Sequence, residues 1–359
     1  MSIINMIIKC SINNLFMAYP ITIYKKRPTC QKSPDSLFYM TRFSRLFTKL
    51  LLMINFANFY FYIIYYLNKK GSIMNKDNFK ITGQKIDIKD LDRKIIPDKE
   101  DAAAKKELYD ELVPELRELH EKLFAEGKYG ILVVLQAIDA AGKDEIIQYI
   151  FSNLKPQGLK NTSYGKPSDE EESHDYLWRM YKGLPKRGEL AILNRSYYED
   201  IISPKIYDTL GNLPEEIRND PDIWKKRYEH INNFEKYLTE NGFSVVKFYF
   251  HVSKDEQRKR LLERLEDPKK NNEFSFSDLD DRKNWDKYQE AFEEMLNNTS
   301  TEIAPWYVLP ADNPWYSRKI ATLALIETIK KINPSYPTFS EEEQKKADKV
   351  IDQLKNKEI

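Results

Sequence analysis

The chain has 359 residues, 57 Lys/Arg against 56 Asp/Glu for a net charge of +1, and two cysteines. That length suits one large or two medium domains, and the near-neutral balance excludes a generic nucleic-acid binder, whose domains are strongly basic. Cys10 and Cys30 both lie in the first 73 residues, so the remainder has neither a disulfide nor a Cys-ligated metal, as suits a reducing, cytoplasmic setting.

The charge is unevenly spread. Residues 1–73 hold ten Lys/Arg and one acid, Asp35, while 47 bases and 55 acids follow. The front segment is rich in Ile, Asn, Phe, Tyr and Lys, and its Leu50–Leu67 run is apolar apart from Asn55 and Asn58. At about 18 residues that run is at the short limit for a membrane span. It stands too far from the N-terminus for a secretory signal. Three readings compete for residues 1–73: a weak membrane anchor through residues 50–67, a folded extra domain, or a translated upstream region with biological initiation at Met74. The abrupt change of composition at Met74 favours the last, leaving residues 74–359 as the working domain.

Asp101–Glu126 is an amphipathic helix, with Leu108, Leu112, Leu116, Leu119 and Leu123 at three- and four-residue steps and Pro114 as a point of kinking. Ile131–Leu135 is a buried strand running into a tight turn and a helix, Glu145–Phe151, which Lys155–Gly158 stops. Asn161–Tyr164 is a short strand. Ser168 N-caps a helix that runs through Arg179, with Asp169–Glu172 in a first turn where the dipole favours acids. Glu189–Leu193 is a buried strand, followed by helices at 197–208 and 221–241. Then come strand Ser244–Val252, a basic helix Lys254–Leu265, a polar loop Asp267–Ser277 and a helix at 278–298. Strand Trp306–Leu309 and helices at 315–332 and 340–356 close the chain, the last as a solvated helix. Alternating strands and helices predict an α/β fold: a mostly parallel sheet with helices on both faces and ligands at the carboxyl ends of the strands.

The turn after the first strand reads Ala137-Ile-Asp-Ala-Ala-Gly-Lys-Asp144. The usual phosphate loop is G-x-x-x-x-G-K-[ST]; here Ala137 replaces the first glycine and Asp144 the Ser/Thr. Ala140, Ala141 and Gly142 supply backbone N–H groups, and Lys143 a point charge, for phosphates. Two carboxylates, Asp139 and Asp144, would repel a bare phosphate chain. They make sense with a metal between protein and phosphate, Mg²⁺ or alternatively Mn²⁺, because carboxylates and substrate phosphates hold Mg²⁺ together. Helix capping is the plain alternative for Asp144. Arg195, next to Asn194 at a second strand end, suits bidentate phosphate binding; an ion pair with Glu199 or Asp200 is the alternative. Arg179 shares a helix with His174 and Asp175, and pairing with Asp175 is its alternative. Arg260 and Arg264 share a helix face in the most basic part of the chain, as a clamp on a polyanion or a solvated face; residues 255–298 form the expected lid. Such a set serves phosphoryl transfer, which needs positioning and charge neutralisation.

These motifs, with His174-Asp-Tyr-Leu-Trp-Arg179, Asn194-Arg-Ser-Tyr-Tyr-Glu199, Arg227-Tyr-Glu-His-Ile-Asn-Asn-Phe-Glu235 and Arg264-Leu-Glu-Asp-Pro268, resemble the polyphosphate kinase 2 family over about residues 85–335. The resemblance implies a P-loop kinase-like fold similar to thymidylate kinase, with a helical lid. It implies transfer of phosphoryl groups between inorganic polyphosphate and nucleotides with Mg²⁺. Asp139 and Asp144 would then hold the metal, Lys143 the phosphates, and Arg179 and Arg195 the transferring or nucleotide phosphates, while Arg260 and Arg264 contact the chain. The Asn194-Arg-Ser form resembles branches acting on nucleoside mono- or diphosphates. Adenine nucleotides, AMP or ADP, are the expected acceptors, a guanine nucleotide the alternative, and a homo-oligomer (dimer or tetramer) the expected assembly. An ATP-dependent nucleoside monophosphate kinase is the competing enzyme, and a non-catalytic binder of polyphosphate or nucleotides the third option. Two positions depart from the family's pattern. Asn272-Glu273 replaces a Trp-Lys pair, and Glu145 replaces a glycine, adding a third acid beside the loop.

Overall fold

Six strands form one sheet: β1 Lys80–Ile81, β2 Gly130–Gln136, β3 Leu159–Ser163, β4 Leu190–Asn194, β5 Phe243–His251 and β6 Trp306–Pro310. Their spatial order is β1-β6-β5-β2-β4-β3, and all neighbours run parallel except β1, which pairs antiparallel with β6. Every residue of β2, β4 and β6 is buried. Both faces of those strands are therefore covered, as their unbroken apolar runs require. The chain leaves β2 to one side through β3 and β4, then crosses to β5 on the other. This reversal opens a crevice at the carboxyl end of β2, where ligands bind in such sheets. The computed structural model describes residues 76–210 and 213–357. The two cysteines, the Leu50–Leu67 run and Met74 lie outside the described residues. Among the described residues, no helix is long and apolar enough to cross a membrane.

The helices are α1 Asp98–Glu107, α2 Val113–Glu126, α3 Lys143–Tyr149, α4 Asp169–Glu172, α5 Glu199–Tyr207, α6 Glu215–Arg218, α7 Ile223–Glu240, α8 Lys254–Glu266, α9 Ser277–Lys283, α10 Trp285–Thr299, α11 Pro314–Ile332 and α12 Glu341–Lys355. Between α1 and α2 the chain keeps turning through a π turn, Leu108–Leu112. Pro114 explains the widening, since it lacks an N–H and its ring crowds the carbonyl one turn back. Leu108, Leu112, Leu116 and Leu123 are buried there as their spacing predicts, against α11.

Two expected helices are corrected. The helix begun at Ser168 ends at Glu172, not Arg179. Ser168 and Glu171 form a reciprocal capping box. The Asp175 carboxylate then accepts from the Leu177 N–H at 3.0 Å, and a separate 3₁₀ turn, Trp178–Gly183, carries Arg179. Asp175 offers the backbone a turn in place of a helix. The helix expected at 278–298 breaks at Asn284 into α9 and α10. Of the expected lid, α10 is core: Trp285, Tyr288, Phe292 and Met295 are all buried.

Candidate active site

The loop after β2 is wound tightly. Ala140 has φ 62° and Gly142 φ 113°. The first is a left-handed conformation uncommon for alanine, and the second lies where an L side chain is strained. Lys143, at the start of α3, is buried and folds back on the loop. Its Nζ donates to the Ala137 carbonyl at 3.0 Å and the Ile138 carbonyl at 3.3 Å, and lies 3.5 Å from Asp139 Oδ1. The tight winding thus satisfies the ammonium group with the loop's own carbonyls.

Two consecutive residues at the end of β4 hold the loop's two carboxylates. Asn194 Nδ2 donates to Asp144 Oδ1 at 2.6 Å. Arg195, with φ 63°, donates from Nη2 to both oxygens of Asp139, at 2.6 and 2.7 Å. Burial alone would raise the Asp139 pKa, but Lys143 and Arg195 overcome it and hold the carboxyl below its usual range. Burial also pushes Glu199 up, against the pull of Arg195; its Oε1 accepts from Gln136 Nε2 at 2.7 Å.

The Arg195 turn is anchored from below. Tyr197 and Tyr198 hydroxyls donate to Glu235 Oε1 at 2.8 and 2.7 Å. Lys247 Nζ donates to Glu235 Oε2 at 2.7 Å and to the Thr299 carbonyl at 2.7 Å. All four side chains are buried, so this network ties β5, α7 and the end of α10 to the turn after β4.

From above, α8 closes on the loop. Gln257 Nε2 donates to the Asp139 carbonyl at 3.0 Å, and Arg260 Nη1 to the Ala140 carbonyl at 3.3 Å. Arg264, one turn on, is buried and lines the cavity beside the loop, already engaged with acids. It lies 3.6 Å from Asp278 Oδ2 and 3.6 Å from Glu273 Oε2. The unexpected Glu273 therefore occupies the guanidinium expected to meet a phosphate.

A cavity of about 260 Å³ lies between the loop, the β4 end and this part of α8, with Lys143, Asp139, Asp144, Arg195 and Arg264 on its walls. Through Tyr164 and Arg195 it adjoins a groove of about 790 Å³ that holds Arg179, Asp200, Tyr176 and Arg227. Arg179 pairs with Asp200 at 3.4 Å, lies 3.7 Å from Glu171 and donates to the Gly165 carbonyl at 3.0 Å, so Asp175 is not its partner. Burial pushes the Asp200 carboxyl up to about 6, despite Arg179. Arg195 pairs with Asp139 and not with Glu199 or Asp200. The structure thus gathers Asp139, Ala140, Ala141, Gly142, Lys143, Asp144, Arg195 and Arg264 around one cavity, Arg179 in the next, and Arg260 on the far side of the loop. The spacing did not single out Gln257, Glu171, Asp278 or Arg227. Of these, Arg227 carried a hint, as the first residue of a motif in the family resemblance.

The residues present suit a hard divalent cation. Asp139 and Asp144 are oxygen donors, and Asn194 Oδ1 is buried with no partner. Among the described residues no three His, Cys, Asp or Glu side chains form a metal cage. Substrate oxygens would have to complete the shell, which is how Mg²⁺ is commonly held.

A strand, a tightly wound Gly-Lys loop and a helix at the reversal of a parallel sheet define a P-loop kinase-like protein. The chain belongs to the polyphosphate kinase 2 family, whose model matches residues 98–337. It is 45% identical over 222 residues to the AMP/ADP-polyphosphate phosphotransferase of Meiothermus ruber, covering 62% of this chain and 80% of that protein. It is 38% identical over 275 residues to the ADP-polyphosphate phosphotransferase of Rhodopseudomonas palustris, covering 76% of this chain and 95% of that protein. The crystal structure of polyphosphate kinase 2 from Arthrobacter aurescens TC1 superposes with a TM-score of 0.67 at 34% identity, covering 76% of this chain and 95% of that one.

Proposed function

We propose that this protein transfers phosphoryl groups from inorganic polyphosphate to AMP or ADP, and that Asp139 and Asp144 would hold the Mg²⁺ that the reaction uses. The observation that carries the reading is the pair of adjoining compartments that meet at Arg195. A phosphate chain fits the smaller one on the loop, and a nucleotide fits the larger one beside Arg179. The names of the relatives support polyphosphate as donor and AMP or ADP as acceptor. Bound there, Mg²⁺ would neutralise phosphate charge.

The chain's own residues do the positioning. Lys143 leaves the Ala137 and Ile138 carbonyls for the donor phosphate, as its reach across the same cavity allows. Arg195 turns its planar fork from Asp139 to the group in flight, and Asn194 keeps Asp144 aimed inward. Arg179 holds the acceptor phosphate at the groove end. The α8 contacts through Gln257 and Arg260 shield the loop from water. Charge neutralisation of this kind dominates phosphoryl transfer.

The test is an assay with Mg²⁺ in which long-chain polyphosphate or ATP is the sole donor and AMP, ADP or GDP the acceptor. Transfer from polyphosphate to an adenine nucleotide is expected; transfer from ATP alone would overturn the reading in favour of an ATP-dependent monophosphate kinase. In the same assay Lys143→Ala should lose about 10³-fold or more in rate while keeping a native-like melting curve. Near-normal turnover by that variant would sink the proposed role of the loop.

A further inference from the structure

The phosphate loop has a second side. Ala141 and Gly142 wall the phosphate cavity on one face and, on the other, a smaller cavity of about 160 Å³ that Glu145, Arg260, Ser317 and Arg318 close. Arg318, on α11, is 7% exposed. Its guanidinium packs beside two rings whose centroids lie 5.2 Å apart, 4.7 Å from the Tyr149 centroid and 4.3 Å from that of Trp315. Among the described residues it has no hydrogen-bond or ion-pair partner. Burial pulls its pKa down, and the charge that most offsets this is Glu145, across the same cavity. The neighbouring charges are matched. Arg260 Nε donates to Glu256 Oε1 at 3.0 Å, Lys259 lies 3.6 Å from Glu256, and Lys270 bonds Glu263 at 2.8 Å. What remains unmatched is Arg318 and one oxygen, Glu145 Oε2, which is buried without a partner.

We propose that this cavity is a second phosphate subsite, which takes an interior residue of the donor chain after the chain has crossed Gly142; the inference rests on the reading of the donor as inorganic polyphosphate. Contact with the two rings narrows the guanidinium's freedom, so its N–H fork meets phosphate oxygens at reduced ordering cost. Gly142 is the threshold. It lines both cavities, and a Cβ there would stand 3.6 Å from Arg260 Nη1 and 3.8 Å from Glu145 Oε2, filling space that a chain crossing the loop needs. Glu145 then decides which part of a chain fits. An interior phosphate residue carries one negative charge and a terminal residue up to two. Beside Arg318 and Glu145 together, the singly charged residue meets less repulsion than a chain end. The acid that the loop itself does not use becomes a filter favouring long chains.

The experiment compares long-chain polyphosphate with tripolyphosphate, both as ligands in calorimetry and as donors. Arg318→Gln should weaken the long chain about tenfold and leave tripolyphosphate within about twofold, as expected for one charge-assisted contact. Glu145→Gln should narrow the preference from the other direction, by tightening tripolyphosphate. Arg318→Lys keeps the charge beside the rings and loses the fork; an intermediate loss for the long chain, at an unchanged melting temperature, supports the subsite even where Arg318→Gln does not fold. Equal weakening of both ligands by Arg318→Gln, or an unchanged long chain, overturns the subsite alone. A native protein that takes phosphate from ATP and from neither polyphosphate overturns the donor assignment and the subsite with it.

Discussion

Arg195 is held in a left-handed backbone conformation that costs a non-glycine residue about 1–2 kcal/mol. It is retained because both oxygens of Asp139 and the buried tyrosines that follow over-determine it. Asp200 shows the opposite imbalance. Its folded pKa of about 6 lies above the unfolded value of 3.8, because burial outweighs Arg179. Its contribution to stability is therefore full below pH 3.8 and lost as pH rises through about 6. In urea unfolding, the stability of Asp200→Asn relative to the native chain should rise by about 2 kcal/mol between pH 4 and pH 7. A flat difference across that range would show that the carboxyl titrates normally. None of these pairings was legible from spacing: Arg195 and Asp139 lie 56 residues apart, and Asp175 stood at the right step from Arg179 on a helix that does not form.

At the scale of elements, the strands were the most legible part. Ile131–Leu135, Leu190–Leu193 and Val245–Phe250 are apolar runs, and burial on both faces leaves a strand little other choice. Boundaries failed where short polar side chains offered local alternatives, as Asp175 did, and β1 was missed because two residues paired at an edge carry no pattern. The Lys247–Glu235 pair was equally hidden, since a lysine in a strand reads as a solvent-facing position. It is fully buried and joins β5 to α7. Removing one partner leaves an uncompensated charge, so Lys247→Met should lower unfolding free energy by about 3–5 kcal/mol, and adding Glu235→Gln should restore part of it. Denaturant titration of the single and double variants measures both. A double variant no more stable than the single one would mean that the charges were not the cause.

For the whole molecule, the family match ends at residue 337, before α12. That helix has no buried residue. Its reciprocal cap and acidic first turn account for its folding locally. Removing residues 338–359 should therefore leave the transfer rate within about twofold and the melting temperature within about 2 °C, because surface changes away from packed features cost little. A larger fall in either, by the donor assay or by calorimetry, would assign α12 a part in the working protein.

Most guanidinium groups about the loop are already spoken for: Arg195 by Asp139, Arg179 by Asp200, Arg264 by Asp278 and Glu273, and, behind the loop, Arg260 by Glu256, while Arg227 donates to the Asp200 carbonyl. With Arg318 apart, the site is less a basic trough than a lattice of opposite charges near balance. A polyanion that enters such a lattice works by ion exchange. On the proposed reading, its phosphates would take over the guanidinium groups, and the released carboxylates would hold the cations that travelled with it. The gain from small ions set free is then set by the imbalance, not by the number of basic residues. A chain that brings its cations along is favoured over a bare one.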